Sequence, residues 1–229
     1  MLKKRAILNG NPWVIDREER VMYRLLGREV YPENSELLLH LALDRQEDLE
    51  MLECASGDWT IENGALVGRC RENGGGLCYT KQSWPGDILI SFYGTMIPPS
   101  CNDLNFSIKT EGWDYVNNDA ARGFIGGLNG WYDDKAGIEK YPLCKTQALL
   151  PFHAESGREY HIEAGYAVDT VFLCVDGQLL LELHDPDPAE FAALGRVGLG
   201  TYCSQIRFRD LKVYRPASKA VTQSYTPNF

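Results

Sequence analysis

The sequence predicts an all-β chain, an antiparallel sandwich or jelly roll, on three observations. Apolar and polar residues alternate at period two in many short runs along the 229 residues, the pattern of strands with one buried and one wetter face. Asn-Gly and Asp-Gly pairs separate neighbouring runs, where tight hairpins need positive φ at both central residues. Helical periodicity is almost absent, and many short strands joined by hairpins bury their apolar faces by pairing two sheets.

Taken in order, residues 1–36 mix charge with Trp13, Tyr23 and Tyr31 without periodicity and read as an extension that packs on the main body or on a partner. Residues 37–216 read as the sandwich and 217–229 as a tail. The run beginning at Glu36, ELLLHLALD, is strand-like, and Asn63-Gly64 in WTIENGALVGRC predicts a type I′ hairpin. Arg71 to Gly76 is a glycine-rich connection, and no strand-then-helix context supports a phosphate loop. DILISFYGTMI is a long strand with Ile88, Ile90 and Phe92 on one side and Leu89, Ser91 and Tyr93 on the other, ended by Pro98-Pro99. Lys145 to Glu155 fits strand or loop. REYHIEAGYA alternates Tyr160, Ile162 and Ala164 with Glu159, His161 and Glu163, and Asp176-Gly177 turns TVFLCV into QLLLELHD. Pro186 to Leu194 predicts a single short helix with Asp187 as N-cap and Pro188 at its first position. In QIRFRDLKVYR the parity of Ile206 and Phe208 differs from that of Leu211 and Val213, so a β-bulge near Arg209-Asp210 is required to keep one face buried.

The net charge of −9, from 23 basic and 32 acidic residues, argues against nucleic acid as a partner. No run of roughly 20 apolar residues would span a membrane, and the basic start lacks a signal-peptide core, so the expectation is a soluble cytoplasmic protein. Seven widely spread cysteines without a CxxC pair read as reduced thiols.

Chemistry concentrates between Asp103 and Tyr141. Leu104, Phe106 and Ile108 alternate with Asn105, Ser107 and Lys109, whose side chains would project together. After a strand from Arg122 to Leu128 come Asn129, Trp131, Tyr132, Asp133 and Asp134. Rings that stack on sugar C–H faces, beside amides and carboxylates that bind hydroxyls, suit a carbohydrate ligand. His153, in an irregular stretch, is either a general base active near neutral pH or a surface histidine. His161, between glutamates, reads as part of a solvated face. Asp133, Asp134 and Glu139 offer oxygen ligands, and a divalent ion such as Ca²⁺ is the cofactor they would suit. Their spacing lacks the D-x-D-x-D/N-G order of a calcium loop, so no residue is assigned to a metal.

Several stretches together, WTIENGALVG, GGLCYTK, DILISFYG, DLNFSIKTEG, VDGQLLLEL and GRVGLGTYCSQIRFRDLKVY, occur in the order of a concanavalin A-like jelly roll. Over roughly residues 37 to 215 the chain resembles the 3-keto-disaccharide hydrolase, or glycoside-hydrolase-16-like, family and small bacterial relatives encoded among pectin-degradation genes. The paired-acid motif E-x-D-x-x-E of family-16 glucanases is absent, against a two-carboxylate mechanism. The resemblance implies a ligand across the concave sheet, with Asn105, Ser107, Lys109, Arg122 and Asn129 on that surface and Trp131, Tyr132 and Asp133 at its rim. It also implies a route for a 3-keto glycoside: proton loss beside the carbonyl, elimination, then water addition. His153 or Asp133 would be the base, and Lys140, Arg122 or a metal would steady the enolate. Arg122 and Lys140 have a second role open to them, binding the carboxylate of an acidic sugar. The competing expectations are a carbohydrate-active hydrolase or lyase, a non-catalytic sugar-binding module, and a structural subunit that uses its N-terminal extension to join a partner or a second copy.

Overall fold

The computed structural model describes residues 22–70, 75–130, 134–142 and 147–222. Eighteen strands are numbered in chain order among the described residues, and sixteen of them build two antiparallel sheets. Sheet I runs β1 (Tyr23–Leu25), β2 (Arg28–Leu41), β18 (Gln205–Ala220), β7 (Ile88–Met96), β14 (Glu159–Ala167), β15 (Thr170–Val175) and β16 (Gln178–His184), with β5 (Leu66–Arg69) on β18 and β4 (Asp58–Ile61) on β5. Sheet II runs β13 (Gln147–Pro151), β12 (Lys135–Tyr141), β11 (Gly123–Leu128), β8 (Leu104–Thr110), β17 (Arg196–Tyr202), β6 (Gly75–Thr80) and β3 (Leu52–Ser56). A two-stranded hairpin, β9 (Trp113–Asp114) with β10 (Asp119–Ala120), stands apart from both.

Alternation decides which side of each strand is buried. Ile88, Ile90 and Phe92 of β7 and Tyr160, Ile162 and Ala164 of β14 meet Leu104, Phe106 and Ile108 of β8 in one core, all fully buried. That burial removes the largest block of apolar surface from water and is the main stabilising contribution. Trp59 stacks on Phe208 within it, ring centroids 5.8 Å apart.

The turns follow their residues. Asn63 and Gly64 have φ of 51° and 71°, and Glu62 and Ala65 exchange backbone hydrogen bonds across them. Asp176 and Gly177, φ 51° and 79°, join β15 to β16 in the same way. The bulge is present: register shifts between Arg209 and Lys212, Asp210 takes φ 56°, and Ile206, Phe208, Leu211 and Val213 are all buried. One extra residue absorbs the parity change.

Two local expectations are corrected. Residues 188–193 form successive turns with i→i+3 bonds such as Leu194 N to Phe191 O, 3.0 Å, and no helix. Pro186 and Pro188 withhold backbone donors there, and Phe191 is pinned edge-on to Phe124. The one helix among the described residues is α1 (Gln46–Glu50). Gly75 and Gly76, read as part of a loose connection, are paired residues of β6 opposite Tyr202 and Thr201.

Residues 22–36 supply β1 and the first part of β2, which continues unbroken past residue 36. β1 and β2 fold over the outer face of sheet I, where Tyr23, Leu25 and Val30 pack with Leu89, Phe172 and Cys174 as a second, smaller core. β18 likewise runs to Ala220.

Candidate functional site

The outer face of sheet II forms a cleft because its central strands place small residues beside polar ones. With Leu104, Phe106 and Ile108 committed to the core, Asn105 and Ser107 turn outward. Register sets Asn105 between Gly127 of β11 and Gly200 of β17, and Ser107 between Ile125 and Gly198. At Gly200 a Cβ would lie 2.9 Å from Leu77 Cδ2 and 3.3 Å from Asn105 Cβ, so glycine keeps the floor low. Leu77 and Tyr202 rise on one side, Ile125 and Tyr141 on the other, and Trp113 and Ala120 of the β9–β10 hairpin close over the top. The cleft they line has a volume of about 230 Å³.

The hairpin is fastened in place. Asp114 caps its turn, accepting from Val116 N at 2.8 Å and Asn117 N at 3.1 Å. Tyr115 OH donates to Glu53 Oε1 at 2.5 Å, and Arg196 Nη2 donates to Glu53 Oε2 at 2.6 Å while its Nε reaches Thr80 O. The Tyr115 hydrogen bond, outweighing burial and aided by Arg196, holds the Glu53 carboxyl below its ordinary range. Inside the cleft, Tyr141 OH donates to Asp119 Oδ2 at 2.5 Å.

Below the floor lies Asp103, only 4% exposed. Burial pushes its carboxyl up to about 7, against hydrogen bonds from Asn105 Nδ2 (3.2 Å) and Asn102 Nδ2 (2.7 Å). Asn105 spends its donor end on Asp103, and its Oδ1 has no partner among the described residues. Ser107 Oγ is likewise buried without one, as is Asn129 Oδ1. Unpaired buried polar atoms are rare and call for an explanation.

Of the residues that the sequence singled out, the fold brings Asn105 into the cleft and Ser107 onto the same face. Trp131, Tyr132 and Asp133 lie outside the described residues. Lys109 does not project with Asn105 and Ser107: with φ 49° it turns its ammonium into the sandwich, 3.1 Å from Gly86 O and above the Tyr166 ring. Asn129, past the end of β11, donates to Cys101 O at 2.9 Å. Arg122 lines a neighbouring hollow in a bidentate pair with Glu111. Lys140 points to the core side of β12, bridging Asp185 at 2.8 Å and Glu190 at 2.9 Å over the Phe191 ring. His153 is exposed, with Nδ1 2.5 Å from Asp134 Oδ1, a pairing that raises its pKa. Glu139 instead accepts from Gln147 Nε2. Among the described residues, no three of His, Cys, Asp and Glu gather as metal ligands, and no helix is long and apolar enough to cross a membrane.

The cleft residues not foreseen are Trp113, Asp119, Tyr141, Leu77 and Tyr202. Trp113 and Asp119 lie within the same polar, aromatic stretch as Asn105, so their composition was a signal. Leu77 and Tyr202 come from strands distant in sequence and carried none.

The architecture is that of the galectin-like and concanavalin-like β-sandwiches. Among solved structures the chain is similar to a Bacillus subtilis protein with a galectin-like fold (TM-score 0.61, 11% identity, covering 79% of this chain and 96% of that one). It is similar also to the Crh5 transglycosylase (TM-score 0.59, 10% identity, 79% and 86%) and to the carbohydrate-binding module CBM66 of Bacillus subtilis (TM-score 0.57, 15% identity, 72% and 96%). No protein-family model and no curated protein sequence matches the chain.

Proposed function

We propose that the chain binds a neutral carbohydrate in the cleft on the outer face of sheet II. One observation carries the reading: the rings of Trp113, Tyr141 and Tyr202 wall a cleft whose lining also holds the polar side chains of Asn105, Asp119 and Thr201. Sugar C–H faces pack on such rings, and sugar hydroxyls hydrogen-bond to such side chains. The cavity is below the roughly 300–1,000 Å³ of drug-sized pockets, which suits a single sugar unit of a longer chain. A carbohydrate-binding module and a transglycosylase on the same fold support a sugar ligand.

Neutral sugars are favoured because, among the described residues, Asp119 is the one charged side chain lining the cleft, while Arg122 and Lys140 are engaged by acids elsewhere. The single carboxylate that lines the cleft among the described residues, held by Tyr141, also favours binding over hydrolysis by paired acids, which needs two carboxylates across the bond. Titration calorimetry against neutral and uronic-acid oligosaccharides tests the proposal. Saturable binding of a neutral glycan, weakened at least about tenfold by Trp113→Ala, supports it. Binding confined to acidic glycans, or indifferent to Trp113→Ala, overturns it.

A further inference from the structure

The other outer face of the sandwich carries a second constellation that the sugar cleft does not use. Cross-strand register on sheet I aligns Lys212 of β18, Ser91 of β7 and Glu163 of β14 in one row, with Tyr93 and His161 in the next. Ser91 Oγ lies 2.8 Å from His161 Nε2, and the hydroxyl donates when the ring holds its proton on Nδ1. His161 Nδ1 in turn lies 3.9 Å from Glu163 Oε2. The imidazole stacks on Tyr93, centroids 4.7 Å apart, and Tyr23 from the N-terminal hairpin donates its hydroxyl to Glu163. These groups line a cavity of about 340 Å³ with Tyr214, Asp210 and Lys212.

A serine hydroxyl on a histidine, backed by a carboxylate, is the arrangement that nucleophilic acyl transfer needs, and it is recognised by geometry and roles rather than by fold. A solvated sheet face requires only that each polar group find a partner. Here four groups from two strands and a hairpin line up in sequence, Tyr23, Glu163, His161, Ser91, at the margin of the apolar cover that Tyr23, Leu25 and Val30 make. The Nδ1 to carboxylate distance is longer than a hydrogen bond, as is common before substrate binds. Lys212, opposite Ser91 and anchored by Asp210 at 2.7 Å, supplies the positive charge that a developing oxyanion needs.

We infer that Ser91, His161 and Glu163 form a nucleophilic site for small carboxylic esters. Ser91 Oγ bonds to the ester carbonyl carbon as His161 Nε2 takes its proton, and the carbonyl electron pair moves onto oxygen beside Lys212. Collapse breaks the carbon–oxygen bond to the alcohol, which leaves with the proton from His161. Water, deprotonated by His161, then bonds to the acyl carbon, and the bond to Ser91 Oγ breaks as Oγ takes the proton back from His161, so that ester and water give acid and alcohol.

The test uses the full chain and two probes, a fluorophosphonate and p-nitrophenyl acetate. Mass spectrometry of the treated wild-type protein is expected to find the phosphonyl group on Ser91, and His161→Gln is expected to slow labelling at least about 100-fold. Ser91→Ala is expected to abolish the saturable part of p-nitrophenyl acetate hydrolysis. A folded wild-type protein that leaves Ser91 unlabelled, or labelling that proceeds equally in His161→Gln, overturns the inference without relying on the folding of any Ser91 variant.

Discussion

Asp103 makes the stability of this protein fall as pH rises toward neutrality, and Asp103→Asn removes that dependence. Its carboxyl titrates near 3.8 when the chain is unfolded and is pushed up to about 7 by burial in the folded state. Below the lower value both states hold the proton. Between the two values the folded state keeps a proton that the unfolded state has released, so raising the pH favours unfolding, and the loss is complete above the higher value. Roughly three units at 1.36 kcal/mol each give about 4 kcal/mol between about pH 4 and pH 8. Asparagine has the same shape, stays neutral, and replaces the costly buried charge. Urea unfolding of both proteins at these two pH values reads the difference, since paired carboxylates such as Glu62 and Glu111 are common to both and cancel. With a slope of roughly 3 kcal/mol/M, the wild-type midpoint is expected to drop by about 1 M more than that of the variant. Equal pH dependence in the two proteins would refute the assignment of a buried, proton-holding carboxyl at this position.

Two further outcomes separate structural from ligand-facing residues. Lys140→Met takes the counter-charge from the fully buried Asp185 carboxylate, which keeps only the hydrogen bonds from Tyr166 OH and Asp187 N, and is expected to destabilise the fold by about 3 kcal/mol in urea, while leaving glycan affinity unchanged. A loss of affinity with normal stability would return Lys140 to the site. Gly200→Val should do the reverse: its branched side chain fills the cleft floor beside Leu77 and Asn105 and weakens binding by roughly tenfold or more, with little change in midpoint because the Leu77 terminus can yield. Isothermal titration and urea melts on the same preparations decide both.

Elements whose information is local were legible in the chain. The alternation in Ile88–Met96 and Glu159–Ala167 gave each strand its buried face, and Asn63-Gly64 and Asp176-Gly177 gave two hairpins, because period and φ preference are properties of neighbouring residues. The parity change in β18 even gave the bulge at Asp210. Misreadings arose where a distant partner overrode local preference. Residues 188–193 became turns under the hold of Phe191, and Lys109 was drawn inward by Gly86 O and the Tyr166 ring.

The candidate site divides in the same way. The polar and aromatic character of Asp103–Tyr141, which supplies Asn105, Trp113, Asp119 and Tyr141 to the cleft, was visible in composition, and the shared face of Asn105 and Ser107 was visible in parity. The cleft itself depends on Tyr202 and Leu77 arriving from β17 and β6, and on Trp113 folding over from a hairpin tied down by Glu53 and Arg196. The row joining Ser91 to Glu163 and Lys212 depends on which strands became neighbours in sheet I. The sequence by itself determined the class of fold, because each strand and tight turn answers to residues one or two positions away. Only the tertiary structure decided which polar groups meet, because cross-strand register is set by packing between segments far apart in the chain.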